Sequence, residues 1–222
     1  MTSYILPLYG IAFLVLRCCS VGFFAHAFRQ SRSWKDIACR SFINRLTSVI
    51  TSSQQSICQH RIGQGYDIHR LVEDANDGKP LTLGGVRIDG SGVYVVGHSD
   101  GDTVLHAIAD AILGAVGLGD IGERYPDSDP ANRDLDSRVI LQTALEEARK
   151  LGYVPANIDA SIILQRPKLG RELKRRISSS VSELVSNDVT VNIKAKTNEG
   201  LDSIGSGQAI ACQAVVLMRR IS

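Results

Sequence analysis

Residues 61–222 contain three histidines, His69, His98 and His106, and each has acidic residues nearby. Asp67 and His69 are separated by one residue on a predicted strand, so both side chains point to the same side. His106 falls on a predicted helix further along the chain. Two imidazoles and one carboxylate leave a tetrahedral ion with an open fourth position, as in catalytic zinc sites. Asp67, His69 and His106 therefore predict an open metal site.

The acids around His106 favour the same interpretation. Asp102 and Asp110 lie four residues before and after it on one stripe of the helix, where an acid can orient the imidazole. Each signal alone has a simpler explanation, because a histidine beside an apolar stripe is often an ordinary core or surface residue. Asp-x-His pairs also occur by chance, so the metal hypothesis depends on the convergence of these signals.

The segment His98–Asp102 lies directly before the same helix. Its simplest role is structural, with Ser99 or Asp100 as the predicted helix cap. The functional interpretation adds an anion site, since the Ser99 hydroxyl, the His98 imidazole and free amide N–H groups all lie at the positive end of the helix.

Two further polar segments suggest ligand binding. The acidic loop from Asp120 to Asp129 offers carboxylates that can accept hydrogen bonds from a polyol. The segment Lys194–Glu199 places two cations, a hydroxyl and a carboxylate at a strand end, which suits a phosphate clamp with a harder cation on Glu199. The alternatives are a solvated loop and a polar strand end.

Periodicity and turn signals predict the elements that position these residues. Strands are expected at 61–68, 93–96, 154–165, 189–196 and 209–218, with a hairpin at 81–88 that turns at Gly84-Gly85. Helices are expected at 102–113, at 137–151 after an Asp136 cap, and from about Pro167, while 117–136 forms a long loop. This order predicts an α+β fold: a mixed sheet of about four strands, helices packed on one face, and a small hairpin.

Charge divides the 222-residue chain into two parts. Residues 1–60 carry a formal net charge of +5 and residues 61–222 one of −3, within a total of +2. The second part has no basic excess, which argues against nucleic-acid binding. Four of the five cysteines lie in the first part, so the second can form no internal disulfide. With 44% hydrophobic and 22% charged residues, a disordered chain, a collagen and a polytopic membrane protein are excluded.

The first 60 residues have the pattern of a two-part presequence. Tyr4–Leu16 is uncharged and mostly apolar but shorter than a membrane span, and a small-x-small pattern follows at 25–27. Residues 28–60 are rich in Ser, Thr and Arg and nearly free of acid, as in organelle transit segments. We expect a signal-like segment 1–27, a transit-peptide-like segment 28–60 and a domain 61–222 without stable membrane association, delivered to a plastid (apicoplast-like or chloroplast). The alternative is a single signal-anchor from Tyr4 to Phe28.

The motifs of residues 61–220, taken in order, resemble the 2-C-methyl-D-erythritol 2,4-cyclodiphosphate synthase family. They are Arg61-Ile-Gly-Gln-Gly-Tyr-Asp67-Ile-His69, His98-Ser-Asp-Gly-Asp102, Leu105-His106-Ala-Ile-Ala-Asp110, Leu118-Gly-Asp-Ile-Gly122, Tyr125-Pro-Asp-Ser-Asp129, Gln165-Arg-Pro-Lys168 and Lys194-Ala-Lys-Thr-Asn-Glu199. The resemblance implies an enzyme of the non-mevalonate isoprenoid pathway that forms a homotrimer, with an active site at each subunit interface. Its substrate would be 4-diphosphocytidyl-2-C-methyl-D-erythritol 2-phosphate, and its products the cyclic diphosphate and CMP.

The resemblance also implies a role for each matching residue. Asp67, His69 and His106 would bind Zn²⁺, and Glu199 would hold Mg²⁺ or Mn²⁺ on the diphosphate. His98 and Thr197 would stabilise the transition state, and Ser99 would contact the diphosphate. The methylerythritol part would bind Asp120, Gly122, Tyr125, Asp127 and Asp129. The segment from Leu164 to Gly170, with Lys168, would form the cytidine pocket together with Lys196, and Asn198 would add a substrate contact.

Two positions depart from the family pattern. Ser206 stands where a phosphate-binding arginine is common, and Ser203 where an aromatic residue is common, so neither contact is carried over. No cytidylyltransferase domain accompanies the motifs, so we expect the monofunctional form.

Two other functions use part of the same residues. One is a metal-dependent phosphohydrolase, in which the three predicted ligands activate a water. The other is a non-catalytic trimer that binds a metal or a nucleotide. Neither needs the acidic loop and the Lys194–Glu199 segment as well. A cyclase does, because its substrate must be positioned and its phosphate charges neutralised.

Overall fold

A six-stranded mixed sheet is the centre of the computed structural model, which describes residues 58–126 and 128–221. The strands are β1 (His60–Val72), β2 (Lys79–Pro80), β3 (Thr82–Leu83), β4 (Val86–Arg87), β5 (Tyr94–Val96), β6 (Tyr153–Ile163), β7 (Thr190–Lys196) and β8 (Ala209–Arg220). The sheet order is β2-β5-β1-β8-β6-β7, with β6 and β7 parallel and the other neighbours antiparallel. Strands β3 and β4 form a separate hairpin.

The helices are α1 (Thr103–Val116), α2 (Ile121–Arg124), α3 (Ser137–Lys150), α4 (Arg171–Val185) and α5 (Asp202–Gly205), with a 3₁₀ turn at Pro130–Asn132. Helix α1 packs on β1 and β8, α4 packs on β7, and α3 packs on α1 and β6. The core lies between these helices and one face of the sheet, and α1 is at its centre, with twelve buried residues.

The predicted fold class is confirmed: the four long strands, the hairpin with its turn at Gly84-Gly85 and the helix that begins after Asp136 are all present. The sheet also has two short strands at one edge, of which Lys79–Pro80 was not predicted. The third long helix begins at Arg171, so placing its start near Pro167 was wrong. The loop 117–136 contains the four-residue helix α2 and the 3₁₀ turn.

The cap of α1 also differs from the prediction. Neither Ser99 nor Asp100 caps this helix; the N-cap is Asp102, whose carboxylate accepts from the amides of Val104 and Leu105. The same carboxylate accepts from the amides of Gly84 and Gly85 in the hairpin turn, at 2.8 and 2.6 Å. Burial raises the pKa of Asp102 to about 6, although these backbone N–H donors favour its charged form. Its tertiary partners were not visible in the local sequence.

Helix α1 lies unusually close to β1 because two glycines of the strand face it. A Cβ atom on Gly63 would lie 1.7 Å from the carbonyl oxygen of Ala111, and one on Gly65 would lie 2.0 Å from that of Ala107. Both distances are far below van der Waals contact, so any side chain here would push the helix away from the strand. This approach places His106 beside the strand.

The sheet face opposite α1, α3 and α4 is partly apolar, and Ile204 of α5 packs on one part of it with Ala209, Ala211 and Ile163. Ile62, Tyr66 and Ile68 of β1 and Val215 of β8 are all exposed on this face. Within the described residues, no helix is long and apolar enough to cross a membrane. Predictions that concern residues 1–57 lie outside the described residues and stay predictions.

The close approach of α1 to β1 gives a test with a matched control. Gly65→Ala should destabilise the protein by about 2–3 kcal/mol, because the added methyl group overlaps a backbone oxygen of α1. Gly114→Ala lies on the exposed side of the same helix with no atom near its Cβ, and should stabilise it by about 0.5–1 kcal/mol. Urea unfolding measures both. Equal stability of Gly65→Ala and the wild type would contradict this account.

Candidate active site

Three of the predicted ligands meet between β1 and α1. Asp67 and His69 project from the same side of β1, and His106 reaches them from α1. The Asp67 Oδ2 atom lies 3.1 Å from His69 Nε2 and 3.2 Å from His106 Nδ1, and the two imidazole nitrogens are 3.3 Å apart. These ligand atoms form a nearly equilateral triangle.

The size of this triangle fits a divalent metal ion. With metal–ligand bonds of about 2.0–2.1 Å, the ligands of a tetrahedral zinc ion lie about 3.3–3.4 Å from one another. The donor set of two imidazoles and one carboxylate is also one that zinc prefers. All three residues line a common cavity, so a fourth position would face that cavity. The arrangement suits a catalytic metal centre.

In the metal-free cluster, neighbouring groups shift the pKa values of Asp67 and His106. Burial alone would raise the pKa of Asp67, but the hydrogen bonds and charges of His106 and His69 outweigh it and hold this pKa well below its ordinary value. Burial likewise opposes a charged His106, yet the Asp67 carboxylate raises the pKa of His106 above its ordinary value. The Asp67 carboxylate therefore favours positive charge on the neighbouring imidazole, at the place where a cation is expected.

The ring of His106 is oriented by a serine that the sequence did not reveal. Its Nε2 atom lies 2.8 Å from the Ser137 hydroxyl at the start of α3. Asp102 and Asp110, which were predicted to orient this ring, have other hydrogen-bond partners. Asp102 caps α1, and Asp110 accepts from the amide of Ile121 at 2.8 Å. Helical spacing placed these acids on the right stripe, but their partners come from distant parts of the chain.

A cavity of about 320 Å³ extends from the metal ligands. Among the predicted substrate contacts, His98, Ser99, Gly122 and Tyr125 line it. Other lining residues are Ile68, Gly97, Ile121, Asn132, Leu135 and Ile140. The cavity is therefore bounded by β1, the loop before α1, helix α2 and the residues around α3.

The acidic residues of the loop are partly engaged in the backbone. Asp120 caps α2 by accepting from the amide of Glu123, and Asp129 caps the 3₁₀ turn by accepting from that of Ala131, each at 2.9 Å. Each cap uses only Oδ1, so the second carboxylate oxygen remains for a ligand. Asp127 lies outside the described residues.

Lys79 holds the loop that carries His98 and Ser99. Its ammonium group donates to the carbonyl oxygens of Gly97 and His98 at 3.1 and 3.2 Å, and to that of Ser99. It also pairs with the Asp134 carboxylate at 2.7 Å. This lysine was missed because its partners lie 18 or more residues away along the chain.

The remaining predicted residues form a second group at the other edge of the sheet, where β6 and β7 end. Leu164 donates its amide to the carbonyl of Lys196 at 2.9 Å, which joins the segment from Leu164 to Gly170, with Lys168, to the segment 196–199. Thr197 donates to Glu199 at 3.2 Å, and Asn198 donates to Asp202 at 2.8 Å. Lys168, Lys196 and Glu199 are exposed, as a binding surface requires.

This second group does not meet the metal ligands within one chain. Asp67 pairs with Cys212 of β8, Cys212 with Ile162 of β6, and Ile162 with Ala195 of β7. Three strand spacings, roughly 14 Å, therefore separate the two groups across the sheet. Glu199 lies in the second group, so it cannot share an ion with Asp67, His69 and His106 of the same chain.

The two serines that depart from the family pattern lie near α5. Ser206 is exposed at the end of this helix and donates to the carbonyl of Ser203 at 3.1 Å. Ser203 lines a second cavity, of about 510 Å³, together with Ile68, Arg70 and Gln208. A serine at either position leaves this part of the surface without the bulk or charge of an aromatic residue or an arginine.

Comparison with known proteins agrees with the site. Residues 60–219 match the model of the YgbB family, so the chain belongs to this family. The 2-C-methyl-D-erythritol 2,4-cyclodiphosphate synthase of Bordetella pertussis is 48% identical over 160 residues, which cover 72% of this chain and 96% of that protein. The resemblance inferred from the sequence motifs is thereby confirmed.

Solved structures give the same result. The IspF protein of Plasmodium falciparum in complex with CDP is 37% identical, has a TM-score of 0.63, and is matched over 75% of this chain and 100% of its own. The bifunctional IspDF protein of Campylobacter jejuni is 35% identical with a TM-score of 0.66, and this chain covers 43% of it.

The charge state of His106 predicts that metal binding releases a proton. Because the Asp67 carboxylate raises the pKa of His106 above its ordinary value, the ring keeps its Nδ1 hydrogen to a higher pH than a free imidazole and must lose it before an ion binds. Zinc affinity should rise by up to about tenfold between pH 6 and pH 7 and level off above the pKa of His106. Calorimetry in buffers of different ionisation enthalpy measures the released proton. A pH-independent affinity over this range would contradict the assignment.

Proposed function

We propose that this chain is an enzyme of the non-mevalonate isoprenoid pathway. It converts 4-diphosphocytidyl-2-C-methyl-D-erythritol 2-phosphate to 2-C-methyl-D-erythritol 2,4-cyclodiphosphate and CMP. The observation that carries the proposal is the triangle of Asp67, His69 and His106 at the head of a cavity that is also lined by His98 and Ser99. The names of the relatives in the same family support it.

The reaction needs no protein nucleophile. An oxygen of the 2-phosphate attacks the β-phosphorus, the bond between this phosphorus and the oxygen of the α-phosphate breaks, and CMP leaves with that oxygen. The chain must therefore hold two phosphate groups in line and offset their repulsion. Ions held by Asp67, His69 and His106 and by Glu199 would supply Lewis acidity and positive charge.

The residues of the cavity supply the positioning. Lys79 fixes the loop, so that the His98 imidazole and the Ser99 hydroxyl are available to the diphosphate with little reorganisation on binding. Gly122 and Tyr125 line the part of the cavity that suits the methylerythritol group. Asp120 and Asp129 do not line it in one chain, but each uses only Oδ1 in its cap and keeps its other carboxylate oxygen for this ligand.

The second group of residues suits the cytidine end of the substrate. Leu164 and Lys196 are joined by a backbone hydrogen bond, and the ammonium groups of Lys168 and Lys196 offer donors to the phosphates. The CDP complex of the Plasmodium falciparum relative supports a cytidine nucleotide as a ligand in this family.

We assign Zn²⁺ to the site of Asp67, His69 and His106, because imidazole nitrogens suit zinc. We assign Mg²⁺ or Mn²⁺ to Glu199, because carboxylate and phosphate oxygens suit these two harder ions.

We propose that the active enzyme is a homotrimer with active sites between subunits. One chain holds its metal ligands and its cytidine group roughly 14 Å apart across the sheet, so a complete site needs the second group of a neighbouring chain. The sheet face opposite α1, where Ile62, Tyr66, Ile68 and Val215 are exposed, offers an apolar surface for that association.

A matched pair of valines tests the assembly. Val215 on this sheet face and Val139 on α3 are 45% and 48% exposed. Val215→Asp should dissociate the trimer and abolish CMP release, because a carboxylate would be buried without a partner. Val139→Asp should remain trimeric. Light scattering after size exclusion measures the mass, and a monomeric wild-type protein, or a trimeric Val215→Asp variant, would contradict the proposal.

The activity itself is tested with the cytidylyl substrate, Zn²⁺ and Mg²⁺. We expect release of CMP together with formation of a cyclic diphosphate. Phosphorus NMR measures both products. His106→Ala should lower the rate at least about a thousandfold, because it removes one of three metal ligands and with it transition-state stabilisation. His60→Ala, at the exposed start of β1, is the control and should retain the wild-type rate.

The product separates the competing functions. A metal-dependent phosphohydrolase would release an open-chain phosphate, and a non-catalytic binding protein would release nothing. Either result, or full activity of a metal-free His106→Ala variant, would overturn the proposed function.

We also propose delivery to a plastid through residues 1–60, which is supported by the sequence pattern of that segment alone.

A further inference from the structure

A chain of three polar groups runs from the loop before α1 to the metal ligand His106. The Asp100 carboxylate accepts from the hydroxyl of Ser137 through Oδ1, and from the backbone amide of Ser137 through Oδ2 at 3.1 Å. The same hydroxyl lies 2.8 Å from His106 Nε2. Ser137 is fully buried and His106 is 5% exposed, so water does not compete for these bonds.

The number of hydrogens in this chain fixes the direction of each bond. A serine hydroxyl has one hydrogen to donate, and a carboxylate oxygen can only accept. The hydrogen of Ser137 therefore points to Asp100, and the bond between Ser137 and His106 needs its hydrogen from the imidazole. Nε2 of His106 then carries a hydrogen whether the ring is neutral or charged, which leaves Nδ1 as the nitrogen that can give up its hydrogen.

Nδ1 is also the atom that faces Asp67 and His69, at 3.2 and 3.3 Å. We propose that Asp100 and Ser137 are positioning residues that fix His106 in its Nε2–H tautomer, and so present the Nδ1 lone pair to the metal ion. The inference deepens the proposed function, on whose metal site it rests. It gives Asp100 a role that the predicted helix cap did not include.

Ser99 is the only other hydroxyl near this nitrogen among the described residues. Its oxygen lies 3.3 Å from His106 Nε2, longer than the bond to Ser137, and it already accepts from the amide of Gly101 at 3.1 Å. Ser99 also lines the cavity, whereas Ser137 does not. Ser99 therefore faces the substrate, and Ser137 supports the metal ligand from behind.

Two substitutions break the chain at different points. Ser137→Ala removes the hydroxyl but keeps the backbone amide that bonds Asp100. Asp100→Asn keeps the shape of the side chain but replaces one of its two accepting oxygens by an NH2 group, so it can no longer accept from both the hydroxyl and the backbone amide of Ser137. Both variants should lose about 10- to 100-fold in zinc affinity, measured by competition with a chromophoric chelator. Because they interrupt one chain, the two losses should not add in the double variant.

A spectroscopic readout separates this role from a general loss of stability. In zinc-loaded wild-type protein labelled with ¹⁵N-histidine, the His106 ring should show a zinc-bound Nδ1 and a protonated Nε2 whose hydrogen exchanges slowly. In Ser137→Ala that hydrogen should exchange rapidly, while circular dichroism shows an unchanged fold. Ser99→Ala is the matched control and should change neither the zinc affinity nor the Nε2 hydrogen.

The outcomes are distinct from those that test the proposed function. Zinc affinities of Ser137→Ala and Asp100→Asn within twofold of the wild type would overturn the inference, as would zinc bound at Nε2 of His106. Failure of the wild-type protein to bind zinc at all would instead overturn the metal site of the proposed function.

Discussion

The contact between α1 and β1 determines what this chain can do. Gly63 and Gly65 leave no side chain between strand and helix, so the backbone of α1 lies directly on β1. At that distance His106 reaches Asp67 and His69, and three ligand atoms come within 3.3 Å of one another. This cluster brings two imidazoles and one carboxylate together in a largely buried place, and these are ligands that a divalent cation such as zinc prefers.

Two further parts of the chain stabilise that contact. Asp102 accepts two backbone hydrogen bonds from the start of α1 and two from the hairpin. Lys79 donates to three carbonyl oxygens of the loop before α1 and pairs with Asp134. The start of α3 supplies Ser137 behind the ligand His106. The site is therefore supported by elements from several separate parts of the sequence, and little of it needs to rearrange when a phosphorylated substrate arrives.

The sequence predicted much of this because several signals are local. The Asp136 cap, the Gly84-Gly85 turn and the alternation of 189–196 each lie within a few residues of the element they define, and each prediction agrees with the structure to within a residue. The Asp67-x-His69 spacing on a strand was similarly informative. Asp102, Lys79 and Ser137 could not be assigned in this way, because their tertiary partners are 17 or more residues away and are selected by packing. The separation of the three metal-ligand candidates from the second group of residues, 164–170 and 196–199, is likewise a consequence of strand order, which no local pattern shows.

The central claim is that Asp67, His69 and His106 of one chain hold one divalent ion that remains open to substrate. X-ray absorption at the zinc edge of the protein, loaded with one equivalent of zinc, tests this directly. We expect a first shell of nitrogen and oxygen only, with the outer-shell scattering of two imidazoles and an oxygen ligand that changes when a substrate analogue is added. A sulfur shell, or scattering from fewer than two imidazoles in the wild type, would contradict the claim.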